Sequence, residues 1–261
     1  IILKQPKAVL LGLLNQLLLL PIIAFCITTI FPMQAEIAVG FMILSACPGG
    51  AVSNLICYLS KADLALSVSL TAISSIFSVF TIPLIINLSL KHFIGEENTI
   101  NLSLIETVIQ IGVVIIVPII LGMLIKHYKP KFAFKIDKYV RIISIIILIT
   151  IITGVVFKEQ NNLISYIKEA GLSTFLLNIT TVTIGFITAK ILHLKTPQAL
   201  AIAIESGIQN SALAISIAIV FLNNTKFAIA PSIYTLSMYL TGGLIIFISL
   251  KTKKQSRFVQ P

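Results

Sequence analysis

The 261-residue chain is 57% hydrophobic and 11% charged, carries a net charge of +10 and has a mean hydropathy of +1.05. Soluble domains carry about 25% charged residues, so most of this chain cannot face water. The basic excess sits in short connections between apolar runs, which is the pattern of membrane topology and not of a nucleic-acid-binding face.

The apolar runs are continuous and about 20 residues long, without the alternation of a β-barrel, so the fold class is an all-α polytopic membrane protein. Eight segments are expected, at about 7–30, 36–60, 64–90, 103–126, 139–157, 172–192, 196–222 and 227–250. The first carries a deep amide, Gln16. The second is interrupted at Cys47-Pro48-Gly49-Gly50 and resumes through Ser53 and Asn54. In the third, Ser67 and Thr71 are four residues apart, which puts both hydroxyls on one helical face. The seventh is interrupted at Glu205-Ser206-Gly207-Ile208-Gln209-Asn210 and resumes as SALAISIAIVF. Cys26, Cys47 and Cys57 all lie in apolar stretches and read as small core residues, not as disulfide or metal ligands.

Lys and Arg set the orientation. Fifteen fall on one side: Lys4, Lys7, Lys61, Lys126, Lys129, Lys131, Lys135, Lys138, Arg141, Lys190, Lys195, Lys251, Lys253, Lys254 and Arg257. Four fall on the other: Lys91, Lys158, Lys168 and Lys226. The positive-inside rule assigns the fifteen to the cytoplasm, with both ends of the chain there. The chain is thus expected in the cell inner (plasma) membrane as a multi-pass protein. It opens IILKQPK, with no initiator methionine and no signal-peptide pattern, and is expected to be a piece of a longer chain.

Both interrupted segments are the middle member of a triplet, and the triplets enter the membrane from opposite sides. Paired interruptions in inverted triplets point to a secondary transporter with its site near the midplane. Non-helical backbone is tolerated at that depth only where protein buries it or a cavity opens. The N-termini of the second half-helices suit an anion, and the carbonyl ends of the first half-helices suit a cation.

Nine acidic residues occur, and Glu205 alone lies deep in an apolar segment. Glu106 is the nearest rival, close enough to the start of segment four to reach the interface. A charge at the bilayer centre costs about 2.5–3.5 kcal/mol and needs a partner. No Lys or Arg lies within an apolar core, so a bound cation is the economical counter-charge. Ser53, Asn54, Ser67, Thr71, Gln16 and Gln209 offer the oxygens that a hard cation prefers. A protonated Glu205 serving proton coupling is the alternative at this point. Enzymatic function is not expected from the placement of the candidate groups. Asp63 and Asp137 lie in connections, and His92, His127 and His193 lie at segment ends.

The stretches PKAVLLGLLNQ, AEIAVGFMILSACPGGAVSNLICYLSKADLALSVSLT and ESGIQNSALA resemble the bile acid:sodium symporter family, particularly its bacterial members, over essentially the whole chain. The resemblance implies an inverted-repeat secondary transporter with two discontinuous crossing helices, of which eight of ten transmembrane segments are present and the first two helices absent. Residues 1–90 and 161–261 would form a core domain, and 91–160 the panel-domain helices that move against it. It further implies two Na⁺. One would use Ser53, Asn54, Ser67, Thr71 and Glu205. The other would use Gln16, Glu205, Gln209 and the carbonyls of Ser206 and Ile208.

The substrate positions implied are Gly50, Ala51, Asn210, Met238 and Tyr239. Ala51 stands where bacterial members carry Thr, and Met238-Tyr239 where some carry a His-Asn pair. The expected function is therefore sodium-coupled symport of a small organic anion, such as a carboxylate, by alternating access. The alternatives are a proton-coupled or passive anion transporter or channel, or a non-transporting sensor. The expected partners are that anion and the lipid bilayer, with no nucleic acid and no obligate protein partner.

Overall fold

The computed structural model describes residues 5–95 and 104–258. Lys4, and residue 103 at which the fourth segment was expected to start, lie outside the described residues. Besides two short 3-10 helices, Gln160–Asn162 and Lys226–Ala228, the described chain forms ten longer helices in order: α1 (Pro6–Ile30), α2 (Ala35–Ala46), α3 (Ala51–Ser60), α4 (Leu64–Phe93), α5 (Leu104–Tyr128), α6 (Pro130–Lys158), α7 (Leu163–Ile191), α8 (Thr196–Gly207), α9 (Ser211–Phe221) and α10 (Ile229–Phe258). Among the described residues, six helices are long and apolar enough to cross a membrane; they are α1, α4, α5, α6, α7 and α10. The remaining four are short. At 1.5 Å per residue, the 12-residue helix α2 reaches only about 18 Å, against roughly 30 Å of hydrocarbon.

Several helices run further than hydropathy indicated. Helix α6 begins at Pro130 and not near 139, so Lys131, Lys135 and Lys138 stand on its first turns instead of in a loop. Helix α7 begins at Leu163 and not near 172. Helix α10 continues to Phe258, so the tail after 250 is helical as well. Lys and Arg are good helix formers, and hydropathy marks where a helix leaves the apolar layer, not where it ends.

Helix α1 widens into a π turn at Asn15–Leu19, where the amide of Leu20 reaches back five residues to the carbonyl of Asn15. Pro21 explains it. A proline has no N–H for the carbonyl four residues back, and its ring crowds that carbonyl. One wider turn relieves the crowding.

Burial separates two groups of helices. In α1, α4, α7 and α10, between 39% and 44% of the apolar window is buried. In α5 and α6 the share is 11% and 6%, and their apolar side chains point outward. The core is built around α2, α8 and the start of α10. It includes Ile37, Phe41, Ile43, Leu44, Ile202, Ile204 and Tyr234. Helix α7 packs along α8, and α4 packs against α2. Cys47 and Cys57 are buried, as core residues should be, but Cys26 is exposed on α1, because an apolar run in a membrane helix also supplies the outward face.

Candidate functional site

Helix α2 ends at Ala46 because Pro48 cannot donate a backbone bond; the last turn tightens, with the Cys47 amide on the carbonyl of Leu44 at 3.1 Å. Helix α8 ends at Gly207, where Ile208 turns to extended backbone after donating to Ile204 at 2.8 Å. The two non-helical stretches, 47–50 and 208–210, then meet. Gly49 and Gln209 form an isolated antiparallel bridge, and the amide of Asn210 donates to the carbonyl of Pro48 at 2.9 Å. Each stretch thus supplies backbone partners that the other lacks. Asn210 also caps α9, its Oδ1 accepting from the amide of Leu213 at 3.1 Å.

Glu205, on the last turn of α8, is 3% exposed. Its Oε1 accepts from Ser53 Oγ at 2.6 Å and from Ser67 Oγ. Its Oε2 accepts from Thr71 Oγ1 at 2.9 Å. Three helices therefore converge on one carboxylate, α3 through Ser53 and α4 through Ser67 and Thr71. Gly49 closes the fourth side, because a Cβ there would collide with Glu205 Oε2. Among the described residues no Lys or Arg pairs with this carboxylate.

The hydroxyls of this cluster are shared. A hydroxyl carries a single donor, yet each of the three touches two acceptors. Ser53 Oγ also lies 2.7 Å from the carbonyl of Gly50, Ser67 Oγ lies 2.9 Å from Asn54 Oδ1, and Thr71 Oγ1 lies 3.1 Å from the carbonyl of Ser67. When the three protons serve the carboxylate, the carbonyl of Gly50 still accepts from the amide of Ser53 at 3.1 Å, and Asn54 presents its side-chain amide to Ser67 Oγ. A buried carboxylate ringed by hydroxyl and amide oxygens fits a hard cation. Among the described residues no group of three His, Cys, Asp or Glu side chains comes together to hold a metal ion.

Beside this cluster two amides face each other. Gln16, in the π turn of α1, donates through Nε2 to Gln209 Oε1 at 2.7 Å and to the carbonyl of Cys47 at 2.9 Å. Gln209 Nε2 in turn donates to the carbonyls of Ser206 and Glu205 at 2.8 and 3.2 Å. Ser206 Oγ is turned away, donating to the carbonyl of Ile202 on its own helix, and Ile208 is fully buried.

Of the residues read as substrate positions, Gly50 and Asn210 stand together; a Cβ on Gly50 would lie 3.6 Å from that of Asn210. Ala51 is exposed at the start of α3. Met238 is packed in the core, with its sulfur accepting from Ser211 Oγ at 3.7 Å, and Tyr239 is partly exposed.

Two polar clusters escaped the sequence reading. Asn178 on α7 and Tyr234 on α10 both donate to the carbonyl of Gly207, at 2.6 and 2.8 Å. Asn15, next to Gln16, donates to Thr188 Oγ1 on α7 at 3.0 Å. The available signal was a buried amide inside an otherwise apolar span, which Asn15 and Asn178 share with Gln16.

The profile of the Sodium Bile acid symporter family matches residues 1–166. Among curated proteins, the chain is 31% identical over 258 residues to the uncharacterized sodium-dependent transporter YocS of Bacillus subtilis, covering 97% of this chain and 77% of that protein. It is 26% identical over 242 residues to the probable sodium/metabolite cotransporter BASS2, chloroplastic, of Oryza sativa, covering 93% of this chain and 56% of that protein. It is 28% identical over 219 residues to sodium/bile acid cotransporter 5 of Rattus norvegicus, covering 82% and 49%. The chain therefore spans about half the length of the plant and animal relatives.

Proposed function

The chain belongs to the sodium bile acid symporter family, and from that premise we propose that it is a sodium-coupled symporter of a small organic anion. The observation that carries the proposal is the buried Glu205 carboxylate, met by three hydroxyls, with no Lys or Arg pairing with it among the described residues. Sodium supplies the missing positive charge. One ion is held by Ser53, Asn54, Ser67, Thr71 and Glu205. A second is held by Gln16, Glu205, Gln209 and the carbonyls of Ser206 and Ile208, where it displaces the Gln209 amide that now donates to Ser206.

In this reading, α2 with α3 and α8 with α9 each make one discontinuous membrane crossing, which brings the count to eight. The triplets α1–α4 and α7–α10 are inverted repeats and form the core domain, and the outward-facing α5 and α6 belong to the moving panel. Both chain ends are cytoplasmic, in the inner (plasma) membrane. The anion sits at the N-terminus of α3, where Gly50 lies beside Asn210 and Ala51 follows it, with Met238, which meets Ser211, and Tyr239 contributed by α10. Two half-helix N-termini carry positive partial charge, so a carboxylate or comparable anion is the matching ligand. Sodium bound first neutralises Glu205 and ties the two breaks together. The anion site forms, and the panel rocks against the core to change the side of access.

Uptake into proteoliposomes tests this. Small carboxylates are offered under an inward sodium gradient, after thermal-shift screening of metabolite anions with and without sodium. The expected result is accumulation that disappears when K⁺ replaces Na⁺ and is abolished in Glu205→Gln. Accumulation driven equally by a proton gradient without sodium would move the coupling to Glu205 protonation, and equilibration without accumulation would make the protein a passive pathway.

A further inference from the structure

Gln16 and Gln209 come from α1 and from the turn after α8, which are joined by no short connection, yet their amides meet at 2.7 Å. Something must hold the two elements at that spacing. One face of α7 touches both. Asn178, Val182, Gly185 and Thr188 recur at intervals of four, three and three residues, and so line a single stripe of that helix.

At the α8 end, the carbonyl of Gly207 is one of the carbonyls a helix terminus leaves without an intrahelical partner. Asn178 Nδ2 and Tyr234 Oη both donate to it, at 2.6 and 2.8 Å, and Asn178 Nδ2 lies 3.2 Å from Tyr234 Oη. The other end of the same peptide unit, the amide of Ile208, donates to Ile204 at 2.8 Å. The peptide plane that directly precedes Ile208 and Gln209 is therefore pinned at both edges. Val182 and Gly185 leave no slack around it, because a Cβ on Gly207 would strike Val182 and one on Gly185 would strike Ser206 Oγ.

At the α1 end, Thr188 Oγ1 accepts from Asn15 Nδ2 at 3.0 Å, one residue before Gln16 and at the start of the π turn. Asn15 Oδ1 and Asn178 Oδ1 are both buried with no hydrogen-bond partner. Leaving a buried acceptor unmet is costly, so each amide is held by what its NH₂ does. Simple helix-to-helix glue would place its bonds anywhere along the contact. These two bonds end on a residue adjacent to Gln16 and on the peptide that leads into Gln209.

We propose that Asn178 and Tyr234, together with the Thr188–Asn15 contact, are positioning residues for the second sodium site, with α7 setting the spacing between Gln16 and Gln209. This rests on the sodium reading above. The test is sodium-dependent thermal stabilisation of the purified full chain in detergent, titrated with Na⁺ against a K⁺ background. Tyr234→Phe removes one oxygen, and Asn178→Leu keeps size while losing the donor. Each is expected to shift the sodium midpoint about 10-fold higher, as loss of an orienting partner does at metal sites, and to flatten the titration toward a single ion. Asn15→Leu is expected to do the same.

Thr174→Ala is the packing control, since Thr174 is buried on α7 and donates only to the carbonyl of Gly171 on its own helix; its midpoint is expected to be that of the wild type. If Asn178→Leu fails to fold, Tyr234→Phe carries the test alone. Wild-type midpoints in both variants, or an equal shift in Thr174→Ala, overturn the proposal. Glu205→Gln separates the two levels. If it abolishes sodium stabilisation while Tyr234→Phe and Asn178→Leu leave the midpoint in place, only the positioning role fails. If the wild type is not stabilised by sodium at all, or Glu205→Gln keeps the stabilisation, the sodium reading fails and takes this inference with it.

Discussion

The backbone amide of Asn210 donates to the carbonyl of Pro48 at 2.9 Å, with Gly49 and Gln209 bridged beside it. The two non-helical stretches are 162 residues apart in sequence and depend on one another. Each exposes backbone groups that its own helices no longer satisfy, and an unpaired backbone group in a buried apolar setting costs several kcal/mol. Loss of one break is therefore expected to disturb the other.

Gly49 and Gly50 give a contrasting pair. A Cβ on Gly49 would run into Glu205 Oε2, and the carboxylate cannot retreat because three hydroxyls hold it. A Cβ on Gly50 meets only Asn210 atoms at 3.6–3.7 Å, an ordinary contact. Gly49→Ala is expected to destabilise the protein by about 1–3 kcal/mol, the scale of overpacking, and to remove its response to sodium. Gly50→Ala is expected to stay within about 1 kcal/mol of the wild type. Thermal melting in detergent, with and without Na⁺, measures both.

Thr71→Val keeps the shape of the side chain and deletes one of the donors to Glu205. Removing one partner of a buried charged group costs about 1–3 kcal/mol. The variant is expected to melt earlier and to need more sodium for half-maximal stabilisation, by roughly 10-fold for each 1.4 kcal/mol lost from the ion site. An unchanged sodium requirement would place the ion elsewhere.

Gln16→Ala touches only the amide pair and the carbonyl of Cys47. It is expected to reduce the sodium dependence of uptake from a cooperative curve to one with a Hill coefficient near one, because the Glu205–Ser53–Ser67–Thr71 cluster is left intact. A cooperative curve in this variant would argue against a second ion beside Gln209.

Two sodium ions carried with one monoanion move one net positive charge inward. At a potential of about 100 mV that charge contributes about 2.3 kcal/mol, which is roughly 50-fold in accumulation. Imposing an inside-negative diffusion potential on proteoliposomes is expected to raise steady-state uptake. Uptake indifferent to the potential would mean an electroneutral cycle.

The breaks were legible because their residues are chemically out of place. Pro48, Gly49 and Gly50 cannot continue a helix gracefully, and Glu205 cannot lie in lipid alone. The rule that a deep charge needs oxygen or a counter-charge singled out Glu205, and helical spacing put Ser67 and Thr71 on one face; which of the candidate oxygens surround Glu205 was implied only by the family resemblance. The π turn at Asn15–Leu19 did not, because Pro21 reads equally as a simple kink. Asn178 and Tyr234 were passed over because their partner is a backbone carbonyl of Gly207, and sequence shows side chains, not which carbonyl a helix end frees. The starts of α6 and α7 were missed because Lys131, Lys135 and Lys138 on α6, and Lys168 and Glu169 on α7, interrupt hydropathy without interrupting a helix.

Equilibrium binding of radioactive sodium to the purified chain, wild type against Glu205→Gln, tests the central claim most directly. Saturable binding that K⁺ does not displace, present in the wild type and lost in the variant, is the predicted result. Saturable binding of unchanged affinity in Glu205→Gln would contradict the account.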